Sequence, residues 1–387
     1  MTAVSTATPT AGTTARPQAE AVIDLDSVAH NVRVLAARAG AAGVMAVVKA
    51  DGYNHGAVPV ARAALEAGAT ELGVATVREG LALRAAGVDA PVLCWLHAPG
   101  ADFRAAIEAD VEIGVSTPRQ IAAVAEAART AGRRATVSVK FDTGMNRGGL
   151  APDVVDEALD LLAHERGVLD VRGAFSHLVA ADDPEDPVTD LQKRRFDAAV
   201  DAMTRAGVAP RVRHLANSAA TLLRPDLAYD LVRPGIAVYG LSPAPDLGSF
   251  DLRPVMTLRA TVVLLKNVPA GGGVGYGHQW IAPRDTVVAL VPLGYADGVV
   301  RGLTGRYEVA VRGRRHPAVG RVSMDQVVID VGPDGDVEVG DDAYFFGPGD
   351  HDEPSAQDWA ELLDTINYEV VTGVRGRVER TYRGGAA

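Results

Sequence analysis

A single cysteine, Cys94, in a chain of 387 residues excludes a disulfide framework and a cysteine-based metal cluster. It sits in the apolar run PVLCWL, where a free cysteine reads as a core thiol. Basic residues are outnumbered as well, 38 against 49 acidic for a net charge of -11, and no block of lysines and arginines occurs. A chain so poor in clustered cations is not expected to bind nucleic acid. No apolar stretch approaches the roughly 20 residues of a membrane span. The opening MTAVSTATPTAGTTARPQ has neither the basic start nor the apolar centre of a signal peptide. The expectation is a cytoplasmic protein with no membrane partner. That Thr/Ala/Pro-rich opening also carries too little large apolar surface to pack, so residues 1–18 are expected to be a disordered tail.

What is present is an alternation. Between Val44 and Tyr239 eight short apolar runs recur: VMAVVK, ELGVA, PVLCWL, VEIGVS, ATVSVKF, VRGAFSH, VRHLAN and DLVRPG. Longer stretches such as TPRQIAAVAEAARTAG and DLQKRRFDAAVDAMTRAG separate them, with apolar residues at helical spacing and a glycine stop. Strands apolar on both faces and joined by helices predict a parallel sheet, and eight units predict a closed (β/α)8 barrel over residues 19–250. A doubly wound open sheet is the alternative, because periodicity does not show closure. Beyond Leu252 the runs TLRATVVLLKNV, DTVVALVPLG, YEVAVRG, QVVIDVG and DDAYFFG are β-rich and broken by Gly, Pro and Asp. They predict a mostly antiparallel β domain over residues 251–387, with a short helix at AQDWAELLD and a last strand pair. Residues about 19–30, in AVIDLDSVAH, are expected to lend that domain a strand before their helix enters the barrel. No internal repeat of fixed period occurs.

The strand ends are where barrel chemistry sits. Lys49 closes VMAVVK and is followed at once by the polar ADGYNHG. An ammonium there, with an apolar strand behind it, loses solvent and acquires a lowered pKa, which frees an amine for a Schiff base; the plainer reading is a lysine snorkelling from a strand end. Its neighbours favour chemistry. The fifth strand ends in Lys140 and Asp142 with Arg147 close behind, the sixth in Ser176 and His177, the seventh in Asn217 and Ser218, the eighth in Arg233. A cationic rim in an acidic protein suits an anionic small molecule, and phosphate fits. NSAAT offers a hydroxyl at a helix start, and RPGIAVYG places the N–H groups of Gly235 and Ile236 where they are free for an anion. Metal-assisted hydrolysis is the rival, but the nine histidines are scattered, with no H-x-H or H-x-x-x-H pair, so no metal is expected.

AVVKADGYNHG, KFDTGMNRGG, HLANSAA, LVRPGIAVYGL, VGYG, PLGYADG, VGRVSMDQ and TINYEV, in order from about Ala21 to Arg377, resemble the alanine racemases of the fold-type-III pyridoxal-phosphate enzymes. The resemblance implies pyridoxal 5'-phosphate (PLP) in the barrel and a head-to-tail homodimer whose sites draw on both subunits. By that resemblance Lys49 carries PLP and is one acid/base group, and Tyr276 from the partner subunit is the other. Tyr53, Ser218, Tyr368 and the backbone of Gly235 and Ile236 match phosphate contacts, with Asn217 in the same block. Arg233 matches the arginine facing the pyridine nitrogen, and His177 the histidine beside the ring that hydrogen-bonds this arginine. Arg147 and the backbone of Met324 match contacts to the substrate carboxylate. Lys140 matches a lysine often carbamylated to hold that arginine, while Tyr295, Arg301 and Asp325 match supporting residues along the substrate's approach.

The implied reaction interconverts L- and D-alanine, a D-alanine source for peptidoglycan precursors. The alternatives are a racemase for another small amino acid such as serine, or a non-catalytic PLP-binding protein of the same barrel type. A PLP decarboxylase or aldolase would pair the pyridine nitrogen with an acid, and Arg233 stands against that. The wording departs from the family at Asn54, Asn146, Gly275 and Ser323, which leaves every catalytic group in place.

Overall fold

A computed structural model describes residues 17–385. Up to residue 16 the tail expected over 1–18 lies outside the described residues. Strand β1 (Ala19–Asp24) comes first, and Asp24 caps the helix Leu25–Ala39 by accepting from the backbone of Asp26 and Ser27. Eight parallel strands follow, each as the apolar runs predict: β2 (Gly43–Val47), β3 (Glu71–Val74), β4 (Val92–Cys94), β5 (Val111–Val115), β6 (Ala135–Lys140), β7 (Leu169–Phe175), β8 (Val212–His214) and β9 (Leu231–Val232). Intervening helices carry the expected signals. Thr117 caps Pro118–Ala131, Gly132 ends it at φ 64°, and the buried stripe Ile121, Val124, Ala125 and Ala128 faces the strands.

Closure is a tertiary fact. β2 pairs in parallel with β3 on one side and with β9 on the other, Gly43 opposite Leu231 and Val44 opposite Val232. Between β8 and β9 two backbone bonds complete the ring, Asp230 N to Arg213 O at 3.1 Å and Arg233 N to Ala216 O at 2.8 Å. The open-sheet alternative is therefore excluded.

The remaining strands are β10 (Met256–Thr261), β11 (Leu264–Val268), β12 (Gly273–Val274), β13 (Trp280–Ile281), β14 (Thr286–Val291), β15 (Glu308–Val311), β16 (Arg314–Val319), β17 (Val327–Asp330), β18 (Asp342–Phe346) and β19 (Glu379–Arg383). All but the β12–β13 ribbon join β1 in a nine-stranded sheet ordered β11-β14-β17-β16-β15-β18-β10-β1-β19. Only β1 and β19 run parallel there. β1 thus opens the chain inside the C-terminal sheet before its helix crosses to the barrel. The last strand pair predicted from sequence is not formed. TINYEV instead starts a helix, Asn367–Gly373, leaving β19 alone to pair with β1. Burial of Val370 and Val371 and two bonds from Asn367 Nδ2, to Ser242 O and Gln357 Oε1, overcome the strand preference of paired valines. No helix among the described residues is long and apolar enough to cross a membrane.

Candidate active site

The residue at the end of β2 is Lys49, and the chain turns immediately after it. Five consecutive residues are left-handed: Ala50 (φ 52°), Asp51 (52°), Gly52 (62°), Tyr53 (51°) and Asn54 (63°). For an L-residue this conformation costs about 1–2 kcal/mol, so the turn exists only where other contacts hold it. Glu79 accepts from Ala50 N at 2.8 Å, Asp51 accepts from Ala57 N at 2.9 Å and pairs with Arg380, and Asn54 Nδ2 donates to Thr372 O. Asparagine at position 54 is one of the few non-glycine residues that adopts the left-handed region readily. The turn leaves Lys49 Nζ 5.8 Å from the centre of the Tyr53 ring. Burial, reinforced by the charge of Arg147 and opposed by Glu79, pulls the Lys49 amine below its ordinary range.

Around Lys49 the strand ends converge on a cavity of about 160 Å³. β6 brings Lys140 and its following loop brings Arg147; β7 leads to Ser176 and His177; the β8 loop brings Asn217 and Ser218; β9 leads to Arg233, Gly235 and Ile236. Tyr368 reaches the same cavity from the C-terminal helix Asn367–Gly373, its ring 6.3 Å from that of Tyr53. Four cations line this mouth and no aspartate or glutamate does. Burial, with help from Arg233 and Arg147, lowers Lys140 to about 8. Burial and the same cations lower His177 to about 3, so its imidazole is neutral. Burial lowers Arg233 to about 9, which leaves it charged at neutral pH.

Two details correct the sequence reading. Arg233 does not hydrogen-bond His177. Its terminal nitrogens bond the carbonyls of His214, Ser176 (2.6 Å) and Leu215 (3.3 Å), and Nη1 lies 3.3 Å from His214 Nδ1. His214 is the last residue of β8, fully buried and stacked on Phe175 at 5.0 Å, whereas His177 lies beyond the end of β7. Alternation within VRHLAN was the available signal, since a polar residue inside a short apolar strand faces the barrel interior. The second correction concerns Gly235, whose N–H is not free: it donates to Ser218 Oγ at 2.8 Å. A Cβ at 235 would lie 2.3 Å from Tyr53 Oη, so glycine is needed for the approach of the tyrosine. The cavity also holds Trp95 and Phe175, which sequence reasoning passed over.

Five other candidates stand apart from this cavity. Tyr276 lies between Gly275 and Gly277, both at φ 70°, and is 71% exposed. It borders a surface depression with Arg321, Ser323 and Gln326. Met324 and Tyr295 are exposed on neighbouring turns, joined by the bonds Tyr295 N to Ser323 O and Ala296 N to Met324 O, both 3.0 Å. A Cβ at Gly294 would meet Met324 O at 2.3 Å, which accounts for that glycine in PLGYADG. Asp325 pairs with Arg377 at 2.8 Å, and Arg301 begins a short exposed 3₁₀ turn.

Two family models cover this architecture: "Alanine racemase, N-terminal domain" matches residues 23–243 and "Alanine racemase, C-terminal domain" residues 255–382. The chain belongs to the alanine racemase family. It is 58% identical over 368 residues to the alanine racemase of Mycobacterium ulcerans, covering 94% of this chain and 95% of that one, and 57% identical to that of Mycobacterium tuberculosis, covering 94% and 96%. Among solved structures, the alanine racemase from D-cycloserine-producing Streptomyces lavendulae superposes with a TM-score of 0.93 at 48% identity, over 96% of this chain and 98% of that chain. The Bacillus anthracis alanine racemase with bound L-Ala-P superposes with a TM-score of 0.87 at 34% identity, over 95% and 96%. Within this family the chain is a racemase, an isomerase, and the racemase's barrel mouth and the exposed Tyr276 face are two separate surfaces of one chain.

Proposed function

We propose that the chain interconverts L- and D-alanine in the barrel mouth with PLP as cofactor, and that Lys49 and Tyr276 of the partner subunit are its two acid/base groups. Racemisation removes a proton from one face of Cα and returns one to the other, so two groups must flank a planar carbon. Lys49 is a partly desolvated amine whose lowered pKa makes its Nζ readier to give up a proton than an exposed lysine. Beside it in the cavity lie Lys140, lowered to about 8, and His177. Burial, reinforced by four cations, holds His177 neutral and makes it a poor proton acceptor, and no carboxylate lines the mouth. An exposed tyrosine on a glycine-flanked turn is suited to enter another subunit's barrel and supply the second proton. The observation that carries the reading is a cavity whose lining holds four cations, two of them lysines, and no carboxylate.

The residues present fit PLP. The Lys49 amine would hold the cofactor, while Tyr53, Ser218, Tyr368 and the backbone N–H of Ile236 would hold its phosphate. Arg233 faces its ring nitrogen. When bound, PLP supplies the electron sink that makes the Cα proton removable. Arg233 withholds a proton from the ring, because a guanidinium retains its own at neutral pH, and that restricts the chemistry to proton transfer. Arg147 and the backbone of Met324 bind the substrate carboxylate, with Lys140 beside Arg147, and Tyr295, Arg301 and Asp325 shape the approach. The bound L-Ala-P of the Bacillus anthracis relative supports a small amino acid as substrate. A homodimer acting in the cytoplasm and supplying D-alanine for peptidoglycan precursors is the setting this implies.

The test is chiral analysis after incubating the purified protein with a panel of L-amino acids. D-alanine should form fastest, and borohydride reduction with peptide mapping should place the cofactor on Lys49. Label on Lys140 or Lys266, or product from no amino acid, would overturn the reading.

A further inference from the structure

A polar chain runs through the barrel interior beneath the mouth. At its upper end Arg233 Nη1 meets His214 Nδ1 at 3.3 Å. Arginine is a donor only, so Nδ1 accepts and the ring hydrogen of a neutral His214 is on Nε2. Burial, with the charges of Arg233 and Arg172, holds His214 well below its ordinary pKa, which keeps the imidazole neutral. Yet Nε2 is fully buried without a hydrogen-bond partner among the described residues. Leaving a buried donor unpaired is costly, so an acceptor is called for.

The glycine of the neighbouring strand marks a space bordered by candidate acceptors. A Cβ placed on Gly173 would lie 3.2 Å from His214 Nε2 and 2.3 Å from Ser138 Oγ, so both atoms face the space that this side-chain-free position leaves open. Ser138 is completely buried and its hydroxyl donates to Glu112 Oε1, which leaves its lone pairs to accept. Glu112 is held in turn by Arg172 at 2.8 Å, and Arg172 is shared with Glu71. Burial pushes the Glu112 carboxyl up and Arg172 pulls it down; donors on both of its oxygens mark it as the carboxylate.

We propose that Ser138, oriented by Glu112, is a positioning residue: its hydroxyl accepts the Nε2–H of His214 across the space at Gly173 and locks the imidazole in the tautomer whose Nδ1 receives Arg233. Every hydrogen bond then points one way, from Arg233 through His214 and Ser138 to Glu112. The locked Nδ1 and the carbonyls of Ser176, His214 and Leu215 fix both terminal nitrogens of Arg233. The rival acceptor is Val212 O, also 3.2 Å from the same Cβ point. Its consequence for catalysis rests on the reading of Arg233 given above; the tautomer itself does not.

Histidine-selective ¹⁵N spectra of the holoenzyme decide it, with the His214 signal identified by its loss in His214→Asn. The native protein should show Nε2 protonated and Nδ1 bare from pH 6 to 9, with an Nε2–H that exchanges slowly with solvent. Ser138→Ala deletes the acceptor and should speed that exchange at least tenfold, with Nδ1–H signal appearing. An Nδ1–H form in the native protein overturns the proposal by itself, even where the variant does not fold. Unchanged exchange in Ser138→Ala overturns it in favour of Val212 O. Pyruvate formed per racemisation from alanine should rise severalfold in Ser138→Ala; an altered tautomer with an unaltered ratio supports the lock and instead overturns the role given to Arg233.

Discussion

The barrel mouth and the Tyr276 face are built on opposite plans. In the mouth, Lys49, Lys140, Arg147 and Arg233 crowd into one cavity, placed by the ends of parallel strands and the loops that follow them, and Arg233 is tied by four hydrogen bonds. On the β domain, Tyr276, Met324 and Tyr295 stand exposed on turns that glycines permit. The first arrangement resists reorganisation and can hold like charges together. The second is an exposed surface apart from the barrel cavity. On the function proposed above, binding and electrostatic tuning would belong to the barrel mouth, and the second proton-transfer group to the β domain of another subunit.

The contrast breaks most sharply at Tyr276. Tyr276→Phe keeps the ring and deletes the hydroxyl, so racemisation in both directions should fall roughly 10²–10⁴-fold while cofactor binding is unchanged. In deuterated water D-alanine should still exchange its α-hydrogen through Lys49, whereas L-alanine should exchange far more slowly. NMR of both enantiomers measures this, and equal loss from each would show that Tyr276 is not the second base. Mixing Lys49→Ala and Tyr276→Phe proteins under subunit exchange tests whether the halves belong to different chains. In a two-fold dimer each mixed species has one doubly damaged and one intact site, so about a quarter of native activity should return. Mixed dimers that form and stay inactive would confine the site to one chain.

Inside the mouth the effects shrink. Arg233→Glu places an acid opposite the ring nitrogen, and racemisation should drop roughly 10²-fold while pyruvate from transamination increases. A native rate and no pyruvate would dismiss that role. The smallest effect tests the crowding of cations. With Lys140 lowered to about 8 from an ordinary 10.5, the unfolded chain binds a proton that the folded chain rejects across that interval, so stability rises with pH from about 8 to 10.5. Lys140→Met should be more stable than the native protein below pH 8, by under about 1 kcal/mol after solvent screening. The advantage should vanish near pH 10.5. Thermal melts across this range check the sign, and a pH-independent difference would mean that packing, not charge, sets it.

Much of this was legible in the residues. Apolar runs closed by a polar residue located all eight barrel strands, and with them Lys49, Lys140, His177, Asn217, Ser218 and Arg233, because a parallel strand buried on both faces can expose chemistry only at its end. The blocks shared with the alanine racemases named Tyr368 and Tyr276, which no periodicity would single out. Local pattern fails where a residue's role depends on what lies across the fold. The histidine bonded to Arg233 proved to be His214, since β8 turns it inward while His177 sits past a strand end. TINYEV became a helix because the buried positions of Val370 and Val371 outweighed their strand preference. The left-handed turn from Ala50 to Asn54 persists because Glu79, Ala57, Thr372 and Arg380 hold it, two of them more than 300 residues away. The sequence by itself determined which residues end strands and which faces are apolar, since both follow from short-range periodicity. Only the tertiary structure decided that the sheet closes, that four cations share one cavity, and that Tyr276 faces away from it, because each depends on distances between segments far apart in the chain.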